Sequence, residues 1–396
     1  METAKEIPKP KKRSGKKIAL LLLAALALVL IITEATGHTQ TLQTLLNPSM
    51  HFTDIASIPH EVGSNPQIHA TATGLFLATR DSVRFHNADG TEIFRASHNM
   101  QNPMLFGRGD FAAIAEDGGR SINVYSAAGL MYHIATEHPL TSFSLSPTGF
   151  SAIITYRGGA YGMYVYGPTG ARRREGIHTD ANVVPMLGDI SHDGSMWAIS
   201  YLDINDAQMN SFVNFISVDR MGHLVYDYLD DIFAASLDNP DQIIAAMRFM
   251  DNGTLVAISD TLIFAIDPTT GATIWESPVN NRISRVFFGD NWLAVAYGEP
   301  ILNRSGLPTG AVVAYSTAGA RLFSHQIDST ATSLVGRGNN IVVGAGGHFT
   351  AISRNGQVLW EHTMPNNFTN MSILGSIDQA VASSPTETRV LRRIRQ

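Results

Sequence analysis

Cysteine is missing altogether from the 396 residues, and lysine stops at position 17. The first absence excludes disulfides, thiolate metal sites and cysteine nucleophiles. It leaves an exported location open, because a core of this size needs no covalent staples. The second absence is abrupt. Lys5, Lys9, Lys11, Lys12, Lys16 and Lys17 stand with Arg13 in the first seventeen positions, after which 21 arginines face 32 carboxylates. Nucleotide bias accounts for arginine replacing lysine, and an acidic remainder argues against nucleic acid as a partner. Helical periodicity is scarce beyond the N-terminus. At 44% apolar and 16% charged residues the chain is globular, and it reads as one all-β domain.

What is present is a repeated hairpin, clearest in residues 262–276, LIFAIDPTTGATIWE. Alternating apolar residues suit a pleated, half-buried surface, and the Pro/Thr/Gly cluster reverses the chain. Gly271 can take the positive φ that such turns need. The same unit closes at Gly90, Gly129, Gly170, Gly222, Gly271, Gly319 and Gly356, at intervals of 39, 41, 52, 49, 48 and 37 residues. An aromatic follows four residues later at Phe94, Tyr226, Trp275, Phe323 and Trp360, whereas the second and third copies offer His133 and Arg174. A period near 40–50 with four short strands per unit predicts a β-propeller of four-stranded blades. Residues 371–395 supply only three further strands, and residues 51–58, HFTDIASI, form a lone strand near the other end. Pairing them closes the ring and covers exposed edges. That makes eight blades; seven remains open if the weak second or third copy is wrongly divided.

Residues 1–17 read as a basic cytoplasmic tail, 18–33 as a transmembrane anchor, 34–50 as a spacer and 51–396 as the propeller. The run 18–32, IALLLLAALALVLII, is uninterruptedly apolar, with Ile18, Leu23, Leu28 and Ile32 along its length. As a helix it spans about 22 Å against a hydrocarbon core of about 30 Å. Snorkelling by Lys16 and Lys17 relieves the mismatch. The positive-inside rule keeps the N-terminus in the cytoplasm and sends the propeller outside. The alternative is a cleaved signal peptide, with Ala35 and Gly37 placed as a cleavage site requires.

The stretch Ala265 to Trp275 fits the repeat of quinoprotein-like propellers, and Ala351 to Trp360 fits it loosely. The segments MQNPMLFGRGDFAAIAEDGG (100–119), LTSFSLSPTGFSAIITY (140–156), ISHDGSMWAISYLDI (190–204) and VFFGDNWLAVAY (286–297) together resemble an uncharacterised bacterial family of membrane-anchored β-propeller proteins, with WD40-like repeats. The resemblance implies an N-terminal anchor and an extracytoplasmic propeller, and it carries no activity.

Few residues suggest chemistry. His60-Glu61 lacks the second histidine of a helical zinc motif, and the glycine run 344–347 has no helix after it to cradle phosphate. Those glycines let strands approach closely. Asp203-Ile204-Asn205-Asp206 lacks the glycine and terminal glutamate of a calcium loop. Ser191-His192-Asp193 names three catalytic residue types, but consecutive turn positions cannot converge. Arg172, Arg173 and Arg174 read as a solvated outer edge. No catalytic residue, metal site or cofactor is expected. The turns SPTG, HDG, DNG, NADG and PTTG are tight, whereas longer segments at 202–211, 298–309 and 227–242 fall in the opposite class of connection. Insertions gathered on one face mark a binding surface. Its acidic candidates are Asp203, Asp206, Asp227, Asp230, Asp231, Asp238, Asp241 and Glu299. The expected function is a membrane-anchored binding or scaffold module of the cell envelope, its partner an envelope protein or cell-wall component. A ligand sensor using the propeller channel is the alternative, followed by a cell-wall glycan enzyme. Protein sequencing of the mature chain should return the basic tail ahead of residue 18; a start near His38 would establish cleavage instead.

Overall fold

The computed structural model describes residues 50–395, apart from 62, 65, 206–208, 219–231, 237–241, 280, 299–309 and 366. Ile18, Leu23, Leu28 and Ile32 therefore lie outside the described residues. Thr53–Arg392 form one compact unit; Met1–Phe52 with Arg393–Gln396 count separately, and of these 50–52 and 393–395 are described, all in strand. Among the described residues there is no helix long and apolar enough to cross a membrane.

The described strands make eight four-stranded sheets. Seven of them, at 67–97, 103–135, 140–178, 183–236, 244–278, 283–327 and 333–363, pair their strands in chain order. These are blades one to seven of an eight-bladed propeller. The reference hairpin has the expected form. Leu262–Ile266 pairs antiparallel with Thr273–Pro278, and the Asp267 carboxylate holds the turn by accepting from the Thr269 N–H and hydroxyl.

The eighth blade takes Asn370–Leu374, Ser376–Ser383 and Glu387–Arg395 from the end of the chain and Met50–Pro59 as its outermost strand. The lone strand expected at 51–58 thus finds the home that the strand count demanded, and the ring has eight blades. The seam is locked on several levels. The Ser57 hydroxyl donates to Glu387 Oε2 at 2.7 Å, the His60 N–H donates to Thr386 O at 2.8 Å, and Arg389 reaches Asp54 at 3.3 Å. Ile58 is buried in a cluster with Leu75, Leu77, Leu374, Val381 and Val390. Burial, aided by the charge of Arg84, lowers the His60 pKa to about 4, so the imidazole at the seam is neutral at pH 7.

The repeat of glycine and aromatic has a packing cause. A Cβ built on Gly319 of blade six, at φ +80°, would stand 2.6 Å from the Trp275 ring of blade five. Gly356 meets Phe323, Gly170 meets Tyr132, and Gly90 meets Ala56 of the closing strand in the same way. The outer-strand side chain of one blade therefore rests on the turn glycine of the next. This corrects two positions. In blade two the seat is taken by Tyr132 and not His133, because the outer strand begins at Gly129 itself and brings its aromatic one residue sooner. In blade three Arg174 is no solvated edge residue; its Nη1 donates to Ser217 O of blade four. Arg172 does stay at the surface, paired with Glu175.

Blade four also differs from expectation. Its fourth strand is Ile232–Ser236, paired with Asn210–Ser217. Residues 219–231 therefore connect the third strand to the fourth, and the link to blade five shrinks to 237–243. The strand uses the uncharged run IFAAS; a strand begun earlier would have carried Asp227, Asp230 and Asp231 into the ladder. The glycines of 344–347 divide their work. A Cβ on Gly344 would strike Ser333 and Phe349, while Gly346 and Gly347 make the turn at positive φ.

Substituting alanine at Gly319 adds a contact with Trp275 to the strain of a positive φ, about 1–3 kcal/mol for the strain alone. Gly118 has φ +64° and nothing within 4 Å of an added Cβ. Chemical denaturation should therefore show Gly319→Ala losing clearly more stability than Gly118→Ala; equal losses would dismiss the packing role of the glycine.

Candidate functional site

The first strand of each blade faces the axis of the ring, and all eight end on the face that carries the first-to-second turns. A cavity of about 580 Å³ opens there, with lining contributed by every blade. Its apolar wall includes Val286, Phe287, Phe288 and Leu334, and its cationic side chains are Arg108, Arg248 and Arg337. Glycines bring the inner strands close. Gly107 leaves room for the His69 ring, and Gly336 for the edge of Phe287.

Arg108 ends the first strand of blade two, Pro103–Arg108, and crosses to three other blades. Its Nη1 lies 2.9 and 3.1 Å from the two oxygens of Asp189 in blade four and also donates to Leu145 O of blade three; its Nη2 donates to Phe249 O of blade five at 2.9 Å. Asp189 is 4% exposed, and its Oδ2 also accepts the Phe249 N–H at 2.7 Å. Charge-assisted bonds of this kind repay desolvation only while every partner is in place. Arg337 makes a second strut: its Nη2 reaches Asp110 at 3.2 Å, and Asp110 holds the Ala72 N–H at 2.8 Å.

Arg248, in the strand Ile244–Phe249, is different. Its guanidinium lies 5.6 Å from the centre of the Phe288 ring, and its Nε comes no nearer than 3.9 Å to Asp189, whose oxygens are engaged elsewhere. That Nε is buried without a hydrogen-bond partner. Burial first, and then the positive charge of Arg108, lower its pKa to about 10 against the opposing pull of Asp189. It remains a cation at neutral pH, and about a third of the side chain stays accessible.

The rim is acidic. Asp251 pairs with His192 at 3.2 Å, and burial together with the charge of Asp251 raises the pKa of Asp290. His69 donates from Nε2 to Gly109 O at 3.0 Å, and burial lowers its pKa. No serine triad forms around His192: the Ser191 hydroxyl donates to Asp193, and the Thr148 hydroxyl donates to His192 O.

The acidic loop candidates fare differently. Asp203 ends the strand Met196–Asp203, where its Oδ1 accepts from the backbone and side-chain N–H of Asn205. Asp206, Asp227, Asp230, Asp231, Asp238, Asp241 and Glu299 lie outside the described residues. Connectivity alone separates them. Asp203, Asp206 and Glu299 belong to second-to-third connections and Asp238 and Asp241 to a blade link, whereas Asp227, Asp230 and Asp231 stand between third and fourth strands. Those last three thus belong to the class of turns on the opposite face, so the insertions do not all share one. Sequence reasoning missed the channel residues. The signal was a charge late in an apolar first strand, at Arg108, Asp189, Arg248 and Arg337.

Residues 51–392 match a family of unknown function (DUF5711). No curated protein matches the sequence. Among solved structures, the Dos1 propeller is 8% identical with a TM-score of 0.56, covering 86% of this chain and 95% of that one. Sqt1 of Saccharomyces cerevisiae is 11% identical at a TM-score of 0.52, covering 87% and 100%. The WD40 domain of Neurospora crassa Pan2 is 9% identical at 0.50, covering 86% and 95%. Likeness at such identity shows the propeller fold alone.

Removing the Asp189 carboxylate strands Arg108 and the Phe249 N–H together. Asp189→Ala should lose about 3–5 kcal/mol in denaturant unfolding, and the paired change Asp189→Leu with Arg108→Met should recover most of it. A single variant as stable as the parent would remove the strut from the account of the channel.

Proposed function

The chain belongs to DUF5711, a family of unknown function, and from that premise we propose that it is a non-catalytic binding module whose propeller channel takes a small ligand. The observation that supports this reading is the 580 Å³ cavity on the first-to-second turn face, within the range of small-molecule sites and lined by apolar side chains interleaved with convergent charged ones. Binding without turnover fits the local chemistry: His192 is the one histidine paired with a carboxylate at the rim among the described residues, and the neighbouring hydroxyls are directed elsewhere. The apolar run 18–32 behind its basic tail supports a membrane tether with the propeller outside the cytoplasm. In that position the channel mouth samples solutes of the envelope, and a protein or wall component held on the loops is a compatible further partner.

Ser372 lines the cavity from blade eight and is the position at which to fill it. A panel of small organic acids, amines and sugars should contain members that raise the melting temperature of the intact chain by a few degrees near saturation and are recovered unchanged. Ser372→Trp should abolish the shift. A panel without any stabiliser, or one that stabilises parent and variant alike, overturns the reading, and a chemically altered ligand overturns its non-catalytic part.

A further inference from the structure

We propose that Arg248 anchors the carboxylate of a monoanionic ligand whose apolar body lies against Phe287 and Phe288. The inference rests on the channel reading above and adds the ligand class. Every other arginine of the mouth is occupied: Arg108 by Asp189 and two carbonyls, Arg337 by Asp110 and Ala70 O. The Arg248 side chain makes no hydrogen bond with a described residue, yet its Nε is buried and its nearest carboxylate is already committed to Arg108 and the Phe249 N–H. Two guanidinium groups thus share one carboxylate, which leaves a local positive charge inside the mouth. A cation with only a shared carboxylate at 3.9 Å is incompletely compensated there, and an incoming anion relieves it.

The rest of the cavity narrows the class. A guanidinium presents a planar fork that matches a carboxylate in two parallel bonds. The guanidinium lies within cation–π range of the Phe288 ring, and about a third of the side chain is accessible from the mouth. Phe287 and Phe288, both partly exposed, offer apolar surface in the same mouth, and a bare inorganic anion leaves it unused. At the rim, Asp251 and Asp290 repel anions, the more strongly the higher their charge; burial first, and then the charge of Asp251, raises the Asp290 pKa. One compact negative charge on an apolar body satisfies all three conditions.

The probes are 3-phenylpropionate, its uncharged amide and inorganic phosphate, titrated calorimetrically into the full chain and into Arg248→Met, Arg248→Lys and Ser372→Trp. The acid should bind the parent, weaken at least about 10-fold with Arg248→Met, and be partly restored with Arg248→Lys, since a hydrogen-bonded charge is worth about that or more. The amide should bind the parent no better than the acid binds Arg248→Met, and phosphate should not compete. Because Arg248→Met removes an uncompensated cation and keeps a long side chain over Phe288, its melting temperature should hold or rise. A marked fall would make Arg248 a structural partner of Asp189 and overturn the proposal. So would equal binding of acid and amide, or phosphate outcompeting the acid. If Arg248→Met binds the acid as the parent does while Ser372→Trp blocks it, the channel reading stands and the anion site falls. If both variants bind as the parent does, both fall.

Discussion

A ring of sheets cannot leave a strand edge open, and the structure depends on how that edge is closed. Here the closing bond joins opposite ends of the domain: Ser57 and Glu387 are 330 positions apart in the chain. Unpaired ladder groups at an edge are sites of aggregation, so the pairing of Met50–Pro59 with Glu387–Arg395 removes a liability as well as adding contacts. Contacts of such sequence separation form late and slowly, after the loop entropy of the whole domain has been overcome. The blades pack locally, but the channel takes its shape only when the eighth blade is complete.

Between blades the register is set by a small device used repeatedly. A turn glycine at positive φ offers a flat seat, and the outer strand of the preceding blade fills it with Trp275, Phe323 or Tyr132. The seat requires glycine twice over, once for its backbone angle and once for lack of room. Because apolar burial is satisfied between blade faces, the inner strand ends need not be apolar, and they carry arginine and aspartate. Arg108 then ties blades two, three, four and five across the mouth. A buried ion pair adds little net stability over an apolar one, but it is expensive to break singly, and that property holds the mouth in one geometry.

The fold says little about what such a mouth is for. Likeness to solved structures at 8–11% identity extends to the propeller fold alone, and that fold follows from backbone hydrogen bonding and blade packing, whatever each protein binds. Function has to be read from side chains that the fold does not require. In this channel those are Arg248, which the packing does not explain, and the carboxylates around the rim.

Much of the architecture was legible because it is local. Glycine spacing, alternation and a missing fourth strand are properties readable along the chain, and they pointed to eight blades, with seven left open, and to the role of residues 51–58. The misplacements came where pairing chose between near-equivalent neighbours. Tyr132 won over His133 through a shorter turn, and Ile232–Ser236 won the outer place of blade four, which moved Asp227, Asp230 and Asp231 to another class of connection. The charged residues of the channel mouth were invisible for a stronger reason. Arg108, Asp189 and Phe249 are 81 and 60 positions apart in turn, and no period or motif links them. Sequence alone determined the repeating unit, because hydrogen bonding and side-chain alternation act between near neighbours. Only the tertiary structure decided which charges meet across the axis and which arginine is left with a buried Nε that donates no hydrogen bond, because closing the ring sets those distances.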